Sequence, residues 1–409
     1  MSVPEGYSIH RVDLDAAVEP VAVESNRKGV ALEVFRGPRP VGFLMAAHPA
    51  GTVLSAEAIS DWIRRDIPEE WSSQPISRQT NIGPMPTVTI VICTKDHPDL
   101  LKRCLEGIGR LVVAPEDPRP EILVIDNASS TDETRRVAEA FEGVRCVREE
   151  KKGLNFARNR ALKEARGEIL AFIDDDAVPD IHWLGGLRQA WSLQPEAGAF
   201  AGQTLPYCLD TEAQVLVESI GGFRKGFLPI VFGRQYAPQP LYPVATIFGN
   251  GCNMAFRVDV MRALGGFDTA LDMGAALPGG GDLDALYRVA RNGHDVVYEP
   301  QMLMRHEHRP DMAGLRRQVR KSWGMGCMAF LVKIRDDDPE MSDKARLFIH
   351  WWMRSMIAQL RPFSKAKLEM PWRLMLLQFI GAATALTGTY RRSQKLAAEI
   401  AAATGGNGD

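Results

Sequence analysis

From Thr87 onward, short runs of consecutive apolar residues alternate with stretches whose apolar positions recur every three or four residues. VTIVIC, EILVID, VRCV and EILAFI (Val88–Cys93, Glu121–Asp126, Val144–Val147, Glu168–Ile173) read as buried strands. HPDLLKRCLEGI places Leu100, Leu101, Cys104, Leu105 and Ile108 on one face of a helix. TDETRRVAEAFE and NFARNRALKEA, the latter closed by Gly167, give two more. Buried strands alternating with amphipathic helices predict an α/β fold, an open and mostly parallel central sheet covered on both faces. Ligands of such sheets bind beyond the carboxyl ends of the strands. Those ends carry Thr94 to Asp96, Asp126-Asn127 and Asp174 to Asp176, so polar groups collect where a site is expected.

The flanks read differently. Residues 1–80 alternate and are broken by turn signals at Asn26-Arg27-Lys28-Gly29 and Gly37-Pro38, which predicts a small antiparallel, β-rich N-terminal domain. SAEAISDWIRRDI follows as a helix capped at Ser55 or a neighbour, and SSQPISRQTNIGPMP as a linker. Residues 81–310 form the central domain and 311–409 a helical region. Within the latter, Leu374–Tyr390 is short, Gly- and Ala-rich and interrupted by Gln378. Trp351, Trp352 and Trp372 precede it, and Arg391 and Arg392 follow. It suits a helix lying in a membrane interface, or equally a buried helix pair, but not a span.

Composition narrows the class. The 49 Lys+Arg nearly balance the 51 Asp+Glu, without the basic excess of a nucleic-acid binder. The six cysteines are scattered and form no C-x-x-C pair, which argues against zinc and a disulfide framework and for a reducing compartment. The N-terminus has early acids and no apolar core, so a signal peptide is not expected. These readings place the protein in the cytoplasm, at the inner face of the membrane if the C-terminal helices touch lipid.

The apolar run Ile169–Ile173 ends in Asp174, Asp175 and Asp176. Three adjacent carboxylates repel one another and resist burial. A hard divalent cation, Mg²⁺ or Mn²⁺, would hold them together and leave positions for phosphate. A set of Asx turns leading into the next helix would account for them equally.

Four segments in this order and spacing resemble the family 2 glycosyltransferases of the GT-A fold: VTIVICTKDHPDLLKRCL, EILVIDNASSTDET, GLNFARNRALKEARGEILAFIDDDAVP and GGGDLDALYRVARNGHDVVYEPQMLMRHEHR. The resemblance covers roughly residues 87 to 310. It implies an inverting, metal-dependent transferase that moves a sugar from a nucleotide-diphosphate donor, a UDP-sugar by the match of Asp126 to the acid facing uracil. The acceptor would be a hydroxyl in glycan or glycolipid (polysaccharide) synthesis. Thr94 and Asp96 match the loop that meets base and ribose, and Arg158 a basic residue near the nucleotide. Asp174 and Asp175 fall nearer ribose and sugar, while Asp176 and His306 match the metal ligands, with His308 the rival for the latter role. Asp282 matches the general base, although Gly281 stands where the family usually has Glu. Asp282 is also suited to capping its helix, and Asp284 falls on another face. The Gly249-Asn250-Gly251 loop is expected near the acceptor.

Two other readings fit fewer residues. AFIDDDAV also suits the nucleophile segment of haloacid-dehalogenase-type phosphatases, and the altered Glu-Asp pair suits a non-catalytic sugar-nucleotide-binding protein.

Overall fold

A computed structural model describes residues 5–73, 85–233, 249–360 and 370–404. The expected boundary at 80/81 and most of the linker lie outside the described residues.

Among the described residues nine strands form the central sheet: β6 (Val88–Thr94), β7 (Glu121–Asn127), β8 (Val144–Glu149), β9 (Ile169–Ile173), β10 (Ala177–Pro179), β11 (Ala199–Pro206), β12 (Ile230–Phe232), β13 (Asn253–Arg257) and β14 (Val296–His306). Their order is β10-β14-β11-β13-β9-β6-β7-β8, with β12 also paired to β14. β8, β7, β6 and β9 are parallel neighbours; β13 is antiparallel to both β9 and β11, and β11 is parallel to β14. Most strands therefore point one way, as expected, with β10, β12 and β13 reversed.

The two-residue period of β6 and β9 divides the core. Val91, Leu170 and Phe172 face the helices Leu154–Glu164, Gly281–Arg291 and Cys327–Asp337. Ile90, Ile92, Ala171 and Ile173 face the helices Pro98–Ile108 and Trp183–Leu193. Gly167 does not cap its helix, which ends at Glu164. A Cβ at Gly167 would stand 2.6 Å from the amide nitrogen of Thr89, so the glycine serves a close crossing of backbones. β14 runs through Pro300, where its pairing with β11 shifts between Gly202 and Thr204.

In the N-terminal sheet β1 (Ser8–Asp13) is parallel to β3 (Gly29–Arg36), and β3 is antiparallel to β4 (Arg39–Ala47). It is mixed rather than antiparallel, because a long connection containing β2 (Val21–Ala22) returns the chain in the same direction. β2 pairs with β5 (Val53–Leu54). Ser55 caps the following helix by accepting from the Ala58 amide at 3.2 Å. This sheet packs on the central one through Phe35, Leu205, Phe227 and Leu303. Beside that contact Arg305 reaches the carboxylate of Glu33 at 2.8 Å and that of Asp180 at 3.1 Å.

The described residues from Met312 onward form the helices Met312–Gln318, a π-helical segment Val319–Gly326, Cys327–Asp337, Ser342–Leu360, Trp372–Leu386 and Thr389–Thr404. No described helix is long and apolar enough to cross a membrane.

Candidate active site

The chain turns sharply after β9. The Ala177 amide donates to the Asp174 carbonyl at 3.1 Å, and β10 then runs antiparallel to β14 with Ala177 opposite His306. The Glu307 amide closes the corner on the Asp176 carbonyl at 2.9 Å. This register places carboxylates and imidazole together. Ligand atoms of Asp174, Asp176 and His306 all lie within 4.8 Å of one another.

The three carboxylates separate into two directions. Asp175 points toward β6, accepting from the Thr94 hydroxyl at 2.6 Å and contacting His97 Nδ1 at 3.1 Å. Asp174 and Asp176 point to the other side, into a cavity of about 560 Å³ whose wall also includes Arg158, Asp272, Asp282 and His306. Burial, with Asp176 beside it, pushes the Asp174 carboxyl up to about 7. Burial opposes ionisation of Asp176 too, but the His306 imidazole outweighs it and holds that carboxyl low. Asp176 Oδ1 and His306 Nδ1 are buried without a hydrogen-bond partner. Their Asp176 Oδ1–His306 Nε2 approach of 3.2 Å is an ion-pair distance, not an aligned hydrogen bond. Orphaned buried acceptors are rare, and two carboxylates with an imidazole are a fitting donor set for a divalent cation. His308 is not part of the group: its Nε2 lies 2.6 Å from Glu218 on the helix Glu212–Ser219.

Asp282 stands in the first turn of its helix but is not the cap. That position is Gly280, at φ 94. Asp282 Oδ2 instead accepts from the Gly251 amide at 3.0 Å, so the Gly249-Asn250-Gly251 loop is its immediate neighbour. Asp284 is buried away from the cavity, between Arg288 at 2.8 Å and Lys333 at 2.7 Å.

Arg158 is buried and donates to Asn155 at 3.0 Å and Asp272 at 2.8 Å. Burial would lower the pKa of its guanidinium, but Asp272, Asp174 and Asp282 outweigh it and raise it. On the adjoining strand ends, Asp96 Oδ1 accepts from the Ser130 amide and hydroxyl at 2.6 and 2.8 Å, which keeps its carboxyl below the usual range. Asp126 accepts from the Ser129 amide at 3.0 Å and from Arg148 at 2.8 Å. Thr94, Asp96 and Asp126 thus share one rim, separate from the cavity that holds the acids and His306.

Sequence reasoning missed several cavity residues. Asp272, at φ 54, is the partner of Arg158. Its only signal was an acid shortly after the Gly265-Gly266 turn. Lys225 lines the wall, where burial lowers its pKa against the pull of Asp282. Phe223 packs edge-on against His306 and Trp323, with ring centroids 5.3 and 6.3 Å away. A second depression of about 480 Å³, by Gln194, His294 and Asp295, lies at the opposite ends of β11 and β14 and has no comparable group. The phosphatase reading expects the D-x-D strand to open its domain, whereas β6, β7 and β8 precede β9 here.

Comparison with known proteins bears on the same segment. Residues 89–265 match the model of glycosyl transferase family 2. The O-antigen biosynthesis protein RfbC of Myxococcus xanthus is 27% identical over 302 residues, 69% of this chain and 22% of that protein. The glucosyl-dolichyl phosphate glucuronosyltransferase of Haloferax volcanii is 23% identical over 190 residues, 44% of this chain and 56% of that one. The chain thus spans about a fifth and just over half of the lengths of these relatives. Among solved structures, a mannosyltransferase from Pyrobaculum calidifontis in complex with GDP-Man and Mn²⁺ is similar at a TM-score of 0.48 and 21% identity. That likeness covers 85% of this chain and 94% of that one. Through residues 89–265 the chain is similar to glycosyl transferase family 2.

Proposed function

We propose that the protein is a metal-dependent inverting glycosyltransferase that moves a sugar from a nucleoside-diphosphate donor to a hydroxyl acceptor in glycan or glycolipid assembly. The observation that carries this reading is one cavity walled by Asp174, Asp176, His306 and Asp282. The first three residues would hold Mn²⁺ or Mg²⁺, which when bound offsets charge on the departing diphosphate. Asp174 joins the ligand set in this reading because it shares the cavity with Asp176, whereas Asp175 is turned toward the donor rim.

The remaining roles follow from position. Asp282 takes the proton of the acceptor hydroxyl as that oxygen attacks the anomeric carbon. The bond from that carbon to the diphosphate oxygen breaks, and the nucleoside diphosphate leaves on the opposite face. One base suffices, unlike the two carboxylates of a glycosidase. The Gly251 amide, donating to Asp282 Oδ2, fixes the direction of that carboxylate. Arg158 holds positive charge in the cavity wall. Thr94, Asp96 and Asp126 form the rim for base and ribose, and Asp126 keeps unused lone pairs beyond its contacts with Ser129 and Arg148. A uridine nucleotide is the donor this acid favours.

Titration calorimetry with a panel of nucleoside diphosphates, with and without Mn²⁺, tests the reading. Metal-dependent binding of one nucleotide, lost in Asp176→Ala, is expected. Binding of none would leave only the fold in common with the family.

A further inference from the structure

The C-terminal helices turn an apolar face to solvent. Leu347 and Trp351 are 70% and 60% exposed on Ser342–Leu360, and Trp372 is 54% exposed on Trp372–Leu386. Trp372, Leu376 and Ile380, all exposed, recur every four residues and so form one stripe. Soluble proteins seldom leave such a stripe uncovered.

Its surroundings indicate what covers it. Lys344, Arg346, Arg354, Arg373 and Arg391 are exposed on these helices, and the acids within the same helices are Asp343 and Glu399. The Arg373 guanidinium lies 5.5 Å from the ring centre of Trp372, which places charge and indole side by side. Exposed tryptophans and aliphatic residues among Lys and Arg are the composition of a helix that lies at the boundary between headgroups and acyl chains. The basic excess is complementary to anionic lipid.

The other side of the same layer reaches the cavity. A Cβ at Gly381 would stand 1.8 Å from the Arg320 carbonyl oxygen, and one at Gly324 would stand 2.4 Å from that of Gln378. The backbones of Trp372–Leu386 and the π-helical segment are therefore in direct contact. Ser322 and Trp323 of that segment, with Met370 just before Trp372, belong to the cavity wall.

We propose that the C-terminal helices dock on a bilayer surface containing anionic lipid, and that the cavity draws an amphiphilic hydroxyl acceptor from that surface. The second clause rests on the transfer reading above; the first stands without it. The full-length protein is floated with vesicles of phosphatidylcholine containing phosphatidylglycerol, and with phosphatidylcholine alone. The protein rises with the anionic vesicles and less with the neutral ones. The variant Trp372→Glu/Leu376→Glu stays at the bottom while binding nucleoside diphosphate as the parent does. A parent that stays at the bottom with both vesicles overturns the proposal, as does a variant that floats like the parent. A dimer in sedimentation that the variant dissolves, without flotation, also overturns it and assigns the face to a second copy. Flotation by a protein that binds no nucleoside diphosphate supports the docking surface and overturns the acceptor clause.

Discussion

His306 Nε2 lies 3.2 Å from Asp176 Oδ1, while the other ring nitrogen of His306 is buried without a partner. The two residues are distant in sequence and meet because Ala177 pairs with His306 across β10 and β14. A divalent cation would satisfy the unpartnered Asp176 oxygen and take one imidazole nitrogen of His306. His306→Ala and Asp176→Ala should each weaken Mn²⁺ binding by more than the ~10–100-fold typical of losing an outer-shell partner. Titration of Mn²⁺ followed by electron paramagnetic resonance reads this directly. Chelation with EDTA should abolish transfer by the parent protein and restore it on adding Mn²⁺.

Asp282→Asn keeps an oxygen to accept from the Gly251 amide and removes the base. Turnover should fall by roughly 10²–10⁴-fold, the usual contribution of general acid–base catalysis. Nucleoside diphosphate binding should stay near that of the parent. Rate measurements paired with calorimetry check this, and an Asn variant with full turnover would remove the assignment.

Arg305 binds Glu33 of the N-terminal sheet at 2.8 Å, with Glu33 3% exposed. Removing Glu33 leaves Arg305 with Asp180 as a partner, so the cost should fall below the ~3–5 kcal/mol of a buried charge left wholly unpaired. Glu33→Ala should lower the denaturation midpoint accordingly. Arg305→Met should cost more, because it takes the partner from both Glu33 and Asp180, and urea denaturation of the two variants measures the difference.

Asp268 accepts from Lys333 at 2.8 Å and from Tyr390 at 2.7 Å, tying the C-terminal helices to the core. Burial raises its pKa, but Lys333 outweighs this and holds the carboxyl below its ordinary value. Its folded pKa is therefore below its unfolded one. The stability it contributes is fully present above the unfolded carboxylate pKa of about 3.9 and is lost as pH falls through the folded value. Thermal melts from neutral pH downward should show this loss, and Asp268→Asn should flatten it.

Local pattern was enough for most strands and helices of the central sheet, because buried strands and amphipathic helices leave different periods. The polar strand ends followed from the same pattern. What the chain did not disclose depends on partners distant in sequence. Asp174, Asp175 and Asp176 are indistinguishable as letters, and only the turn into β10 sends the outer two to His306 and the middle one to Thr94. His306 and His308 are two residues apart, and Glu218 separates them in role. Asp272 is an ordinary acid until Arg158 is placed against it. The parallel β1–β3 pairing was hidden because alternation within a strand says nothing about the direction of its neighbour.

The pairing of Ala177 with His306 also orders events as the chain folds. The corner that holds Asp174 and Asp176 is fixed only when β10 pairs with β14, and the imidazole arrives with that same last strand of the sheet. Contacts of such long sequence separation form late, after the loop-closure entropy has been met. A chain halted before β14 would hold the acids without the imidazole proposed to complete the metal site. Mn²⁺ affinity would then appear during refolding only when the central sheet is complete, which makes the ion a reporter of its closure.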